Sequence, residues 1–360
     1  MSLDSASALA LRTLLERSGY RTFHHGFGDG NVHHWKWRRF VDRLDDPLRT
    51  LVALFLLQRT IDLERAKQLL GDELLASLIA ANVFQSDEAG VRTTGLSLIS
   101  FRGFLFFFEL VPKPRVYFND DSITLGTCQH PAPNGLTLDL CSGTGIQAMI
   151  AAQHARHTDA VEIDERATAI AAINLKLNRF EERVTLFNEG LDDYVKRITE
   201  PLDLITFNPP QLPAPDGIDY SVGNGGPDGL AMTKRILSLY LPHLASSGSI
   251  EFIGCGLGRD GNPLFTEDLG TLLAEHDAYG HAQLIGLTEL HRGDRTYECL
   301  VQTAVNDDIS VERSYELFEK HFQALGVNEM YTFFMRVDKQ PRAKRVTVAN
   351  LAEVGKDWVA

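Results

Sequence analysis

Beyond Pro112 and Pro114 the chain alternates short apolar, β-branched runs with stretches whose apolar residues recur at helical spacing. This alternation limits the fold more than any other feature. Strands are predicted near residues 136–140, 159–163, 183–187, 202–207, 249–254, 282–288 and 296–304, and helices near 144–156, 165–178, 190–198, 228–244 and 265–276. Strands separated by helices of this length make βαβ units, which assemble into a mostly parallel sheet covered on both faces. The expected fold class is α/β, with a Rossmann-like sheet of seven strands. A helix (310–325), the β-rich run MYTFFMRV and a locally basic QPRAKRVT, read as a solvated tail, follow the alternating region.

The part before the prolines reads differently. Residues 6–18 have the pattern of an amphipathic helix, and a Gly/His-rich loop, HHGFGDGNVHHW, comes next. Three short helical segments begin at Asp46, and two β-rich runs broken at Arg102-Gly103 end the region. Helices followed by a hairpin suggest a winged-helix-like, mostly helical module. The expected domains are 1–112, 113–308 and a C-terminal extension, 309–360. His24, His25, His33 and His34 superficially suggest a metal cluster, but they read as solvated loop residues and no metal site is expected. Trp35, Trp37 and the Phe104–Phe108 run read as core.

Charge narrows the partners. Residues 1–110 hold 13 basic and 13 acidic groups, so the remaining 250 carry the whole formal charge of −13. A neutral first module lacks the electrostatic footprint of a DNA reader, and an acidic remainder disfavours polyanionic substrates. The apolar runs fall short of the roughly 18 residues a membrane span needs. The N-terminus lacks the pattern of a signal peptide. Cys128, Cys141, Cys255 and Cys299 have no metal-ligand spacing and fit a reducing cytoplasm, so the expected location is cytoplasmic.

The first βα unit reads LTLDLCSGTGIQAMIAAQ. A strand ends at Asp139, a turn passes through Gly143 and Gly145, and a helix begins at once. Glycines there let the backbone turn tightly and approach a ligand closely. The second strand ends TDAVEID, which puts Glu162 23 residues after Asp139. A carboxylate at that place can accept both hydroxyls of a ribose, each bond contributing on the order of 1.5–3 kcal/mol. Ala148 stands where a dinucleotide fingerprint has its third glycine, and that substitution alone does not decide the cofactor. The acidic residue before the turn serves a pyrophosphate poorly and an ammonium well.

This arrangement resembles motif I, D-x-x-x-G-x-G, of the class I S-adenosylmethionine-dependent methyltransferases. The resemblance implies S-adenosyl-L-methionine as cofactor. Asp139, Cys141, Gly143 and Gly145 would line its methionine part, Glu162 with Ile163 would take the nucleoside, and the backbone near Gly190 and Leu191 would border the adenine.

The fourth strand, PLDLITF, stops at Asn208-Pro209-Pro210, followed by Gln211. Ligands of open α/β sheets bind beyond the carboxyl ends of strands, where this tripeptide falls. Two prolines fix φ and remove donors, leaving carbonyls in set directions, and Asn208 adds a side-chain acceptor. Rigid acceptors suit an –NH₂ group whose lone pair must face an electrophile. The tripeptide resembles motif IV, (N/D/S)-P-P-(Y/F/W), of the amino-methyltransferases. GNGGPDGL is similar to the G-G-x-D-G-L segment of HemK-like glutamine methyltransferases through Gly225, Gly226, Asp228, Gly229 and Leu230. YFNDDSITL (Tyr117 to Leu125) looks like the lead-in strand of the small-domain methyltransferases.

The resemblance spans about residues 115–305. It implies an enzyme that transfers methyl to an amide or amino nitrogen held by Asn208 and the Pro209 carbonyl, with Pro210 and Gln211 completing the catalytic loop. Gln211 departs from the aromatic of the motif. That departure leaves open a small-metabolite acceptor methylated on oxygen or sulfur, and beyond it an rRNA methyltransferase or a winged-helix nucleoside sensor. The acceptor is a small molecule or a protein side chain, with nucleic acid disfavoured by charge and no membrane partner.

Overall fold

The structure is a computed structural model that describes residues 3–218 and 223–352. Residues 353–360 of the expected C-terminal extension, the first two residues read for a signal peptide and the side chain of His34 lie outside the described residues.

An eight-stranded, mostly parallel sheet organises the chain. Its strands are β1 (Leu136–Leu140), β2 (His157–Val161), β3 (Val184–Phe187), β4 (Leu202–Phe207), β5 (Leu244–Gly258), β6 (Tyr279–Glu289), β7 (Glu329–Asp338) and β8 (Val346–Asn350). The chain forms two compact units, Met1–Gly126 with Ser142–Glu189 and Thr127–Cys141 with Gly190–Ala360.

In the unit that carries β1, the strand order is β8-β6-β7-β5-β4-β1. β1 and β4 run parallel with Asp139 opposite Thr206 and Leu140 opposite Phe207, so the ends of both strands are level. β4 and β5 are also parallel, and Phe207 stacks on Phe252 at 4.5 Å between ring centroids. β7 runs antiparallel to both β5 and β6. It is the MYTFFMRV run, and it takes the place expected for 296–304. That stretch is instead the helix Arg295–Thr303. Asp294 Oδ1 accepts from the N–H groups of Thr296 (2.8 Å) and Tyr297 (3.0 Å), and Tyr297, Leu300 and Val301 form one buried helical face. A cap plus an i, i+3, i+4 face outweighs the β propensity of the residues. The QPRAKRVT run is not a solvated tail either. Arg342 pairs with Asp338 at 2.7 Å, and Val346 and Thr347 belong to β8, which adds an eighth strand parallel to β6.

The other unit joins the N-terminal region to β2 and β3, which pair in parallel. Helix Ser5–Arg17 is capped by Asp4. Helices Leu48–Phe55, Leu63–Leu70 and Asp72–Ala80 follow, then the hairpin Phe84–Asp87/Gly90–Thr93, to which Ile61 adds a single bridge at Val91. A second hairpin, Leu96–Phe101/Phe104–Glu109, turns at Arg102-Gly103. Trp37 and Phe104–Phe108 are buried as expected, whereas Trp35 is 53% exposed. His24 is not solvated. It is buried, its Nε2 lies 2.9 Å from the Asn31 carbonyl, and its Nδ1 accepts from the Ser100 N–H. The Tyr117–Leu125 stretch is a corrected expectation as well. Residues Asp120–Cys128 form a helix, and Asp120 and Asp121 in its first turn complement the N-terminal dipole.

Candidate active site

Asp139 and Asn208 sit at the same end of neighbouring parallel strands, because the β1/β4 register is level. Asp139 is buried, and its Oδ1 accepts from the Thr206 hydroxyl at 2.8 Å. Nothing in the run PLDLITF singles out Thr206 before the fold sets it opposite Asp139. Cys141 follows β1 with φ +54°, a left-handed conformation uncommon for a residue with a Cβ. Leu191, at the start of a short helix after Gly190, accepts on its carbonyl from the Tyr240 hydroxyl at 2.8 Å.

Phe207 anchors the Asn208-Pro209-Pro210 turn from below, since it is fully buried and stacked. Pro209 and Gln211 are buried and Asn208 is partly exposed. Gln211 Nε2 donates to Asn208 Oδ1 at 3.0 Å. That bond fixes the orientation of the Asn208 amide, with Oδ1 as the acceptor.

The two motifs read separately in the sequence meet here. Leu212 donates to the Gly223 carbonyl (2.8 Å), Gly225 to the Leu212 carbonyl (2.9 Å) and Ala214 to the Gly226 carbonyl (2.9 Å). The glycines are dictated by proximity. A Cβ on Gly225 would lie 2.7 Å from the Gln211 carbonyl carbon, and one on Gly229, at φ +81°, would lie 2.6 Å from the Gln211 oxygen. Asp228 Oδ1 accepts from Leu230 N–H, and its Oδ2 from Lys234 at 2.7 Å. The glycine segment thus braces the loop that carries Asn208.

In the other unit, Ser142 N–H donates to the Val161 carbonyl, and Gly145 N–H to the Ser142 carbonyl at 2.8 Å. Gly143 (φ +51°) and Gly145 (φ +76°) are both left-handed, and a Cβ on Gly145 would press on Ala171 at 3.3 Å. Glu162 accepts from Gly143 N–H at 2.8 Å and Asp164 N–H at 2.9 Å. Burial pushes its carboxyl above the ordinary carboxylate range, against the pull of those two donors. A carboxylate has about four acceptor positions, more than these backbone donors fill. Ile163 is 77% exposed, an apolar side chain presented next to that carboxylate. Asn188, absent from the sequence reading, donates to the carbonyls of Glu162 (2.9 Å) and Ile163 (3.1 Å) and holds the strand end. Among the described residues, no group of three or more His, Cys, Asp or Glu could hold a metal.

The sheet, mostly parallel with an antiparallel seventh strand, is Rossmann-like. Residues 123–219 match the family described as methyltransferase small domain. Residues 37–94 match a domain of unknown function, DUF7059.

The chain is 33% identical over 182 residues to a ribosomal protein uL3 glutamine methyltransferase of Bradyrhizobium diazoefficiens, covering 45% of this chain and 55% of that protein. It is 38% identical over 101 residues to a tRNA1(Val) (adenine(37)-N6)-methyltransferase of Flavobacterium johnsoniae, 27% of this chain and 43% of that one. It is 23% identical over 198 residues to a release factor glutamine methyltransferase of Mycolicibacterium smegmatis, 51% and 68% of the respective chains. The chain thus spans about half the length of the relatives it matches. Among the described residues, no helix is long and apolar enough to cross a membrane.

Proposed function

We propose that this protein is an S-adenosyl-L-methionine-dependent methyltransferase acting on an amide or amino nitrogen. The observation that carries this reading is the Asn208-Pro209-Pro210 turn, held at the end of β4 level with Asp139 and braced by the Gly225–Leu230 segment. The three relatives reported above are named as methyltransferases of glutamine or of adenine N6, and both acceptors are –NH₂ groups.

The residues present fit the cofactor. Glu162 keeps acceptor positions for the ribose hydroxyls, exposed Ile163 offers an apolar surface to the adenine, and the left-handed Gly143 and Gly145 open the backbone for close approach. Asp139 and Cys141 would border the methionine part, with Gly190 and Leu191 near the adenine. When bound, the cofactor supplies an electrophilic methyl group. The protein's task is then positional. Asn208 Oδ1 and the Pro209 carbonyl accept the two hydrogens of the acceptor nitrogen, aim its lone pair and exclude water, which strengthens both bonds. Pro210 stiffens the turn, and Gln211 holds Asn208. The amino proton can leave after transfer, so no strong base is required.

A protein side-chain amide is the acceptor we favour. The G-G-x-D-G-L segment resembles that of the HemK-like glutamine methyltransferases, and the net charge of −13 opposes a nucleic acid. Residues 113–308 are proposed as the catalytic domain, and 1–112 as a mostly helical region of winged-helix type that packs in one unit with β2 and β3. The test is calorimetric binding of S-adenosylhomocysteine, followed by methyl transfer to extract of a strain lacking the gene and mass spectrometry of the product. Failure to bind the cofactor product defeats the reading. Binding followed by methylated oxygen or sulfur defeats the nitrogen assignment.

A further inference from the structure

The helix Glu165–Asn178 carries two buried asparagines one turn apart, Asn174 and Asn178. Both act on the hairpin strand Phe104–Glu109 as a neighbouring β-strand would. Asn174 Oδ1 accepts from Phe107 N–H at 2.7 Å, and its Nδ2 donates to the Phe107 carbonyl at 3.0 Å. Asn178 Oδ1 accepts from Leu105 N–H at 3.1 Å, and its Nδ2 donates to the Leu105 carbonyl at 2.6 Å. A primary amide presents a donor and an acceptor side by side, so it can replace the strand partner that an edge lacks. Leu105 and Phe107 are two residues apart and expose their peptide groups on the same edge, which the i, i+4 spacing of the helix meets.

The two asparagines differ in one respect. The Asn174 amide also donates to the Thr144 carbonyl at 2.9 Å, inside the turn between Gly143 and Gly145. Asn178 spends its remaining contacts elsewhere. Its Oδ1 also accepts from Arg12 at 3.1 Å, and its Nδ2 also donates to the Asn174 carbonyl at 2.8 Å. Two left-handed glycines leave that turn many alternative conformations, and a fixed carbonyl between them removes most of those. Thr144 is itself buried, so a lost donor there would strand a polar atom away from water.

We infer that Asn174 is a positioning residue for cofactor binding. It holds the Thr144 carbonyl and so fixes the Gly143–Gly145 turn, using the N-terminal hairpin as its rigid reference. The hairpin thereby contributes to affinity for the nucleoside cofactor without touching it. This gives the N-terminal module a role in the reaction separate from substrate recognition. The inference rests on the reading of that turn as the cofactor loop.

The test compares Asn174→Ala with Asn178→Ala in the full chain. Both variants lose two hydrogen bonds to the same hairpin, so both should melt at a lower temperature. Only Asn174→Ala should weaken S-adenosylhomocysteine binding, by tenfold or more, measured well below either melting point. Asn178→Ala should stay within twofold of the parent. Hydrogen exchange of the 142–147 segment without ligand should quicken in Asn174→Ala alone. Equal binding losses in the two variants, or none in either, would overturn the proposal. If the parent chain binds no S-adenosylhomocysteine, the cofactor reading fails. The exchange comparison then still decides whether Asn174 fixes the turn. Should Asn174→Ala not fold, Asn174→Asp carries the same test. It is isosteric and accepts from Phe107 N–H, but it has no amide to donate to Thr144.

Discussion

Gln211 donates from its side-chain amide to the side-chain oxygen of Asn208, 3.0 Å away. In the motif this loop resembles, the place of Gln211 belongs to an aromatic ring. A ring can stack on a substrate but cannot orient an amide. Here the Asn208 amide is oriented from within the loop, with Oδ1 fixed as an acceptor. Replacing Gln211 by leucine keeps the volume and removes the donor. Turnover should fall roughly tenfold, the worth of one well-placed hydrogen bond, while affinity for S-adenosylhomocysteine holds. Asn208→Ala should cost more, on the order of 100-fold or beyond, because it removes the proposed acceptor of the reacting nitrogen's hydrogen. Steady-state kinetics on the acceptor found by the extract screen, with calorimetry beside it, separates these effects. A Gln211→Leu enzyme with unchanged turnover would show that Asn208 needs no support.

The glycines beneath that loop can be tested for stability alone. At Gly229 a Cβ would meet the Gln211 oxygen at 2.6 Å, in a backbone conformation that L side chains already resist. At Gly217 the conformation is equally left-handed, with φ +86°, but nothing lies within 4 Å of a Cβ. Gly217→Ala should therefore cost only the backbone strain, about 1–2 kcal/mol. Gly229→Ala should add a clash with a backbone that cannot yield, for a total of about 3 kcal/mol or more. Urea denaturation of the two variants measures the difference. Equal losses would mean that the Gly225–Leu230 segment does not brace the loop.

Much of this arrangement could be read from the chain because its determinants are local. Asp164 caps the helix Glu165–Asn178 with Oδ1 on Ala167 N–H, and Arg179 in the left-handed region ends it, so the bounds expected from sequence agree with those observed. The glycine turn after β1 and the N-P-P stop after β4 are likewise written in consecutive residues. What escaped depends on partners distant in sequence. The run 296–304 has Tyr, Val and Thr enough for a strand, and only its cap and its packing against helix Val311–Leu325 decide otherwise. His24 looks like one of four loop histidines until Ser100 and Asn31 close around it. Asn174 and Asn178 resemble ordinary polar positions on a helix. Their amides become meaningful only when the hairpin edge from 70 residues upstream is laid against them.

His24 makes acid sensitivity predictable. Burial depresses its pKa from 6.5 to about 4, outweighing the Asn31 carbonyl and Asp29, which both favour the charged form. The unfolded chain therefore binds a proton at a pH where the folded one does not. Its contribution to stability is fully present above pH 6.5 and is lost as pH falls towards 4, by an amount on the order of 3 kcal/mol. His24→Gln removes the titration. Between pH 7 and 5 the stability of the parent should drop more steeply than that of the variant, as read by denaturant midpoints. Parallel slopes would show that His24 is not held neutral.

Glu162 leads to a pH dependence of ligand binding rather than of stability. Its carboxylate is the proposed acceptor of the ribose hydroxyls, and only the ionised form offers all its lone pairs. Burial raises its pKa above the ordinary 4.5, the backbone donors of Asp164, Gly143 and Ile163 lowering it only in part. Protonation on acidification therefore begins at a higher pH than an exposed glutamate would show, and affinity for S-adenosylhomocysteine should fall with it. Glu162→Gln cannot titrate and loses one acceptor position. It should bind roughly tenfold more weakly at pH 7.5, with little further change at lower pH. Calorimetric titrations of both proteins from pH 8 to 5 decide the matter. The two curves should converge as the parent's carboxyl protonates, because each protein then presents a neutral group to the diol. Curves that stay a constant distance apart would place the pH dependence on another residue and remove Glu162 from the nucleoside site.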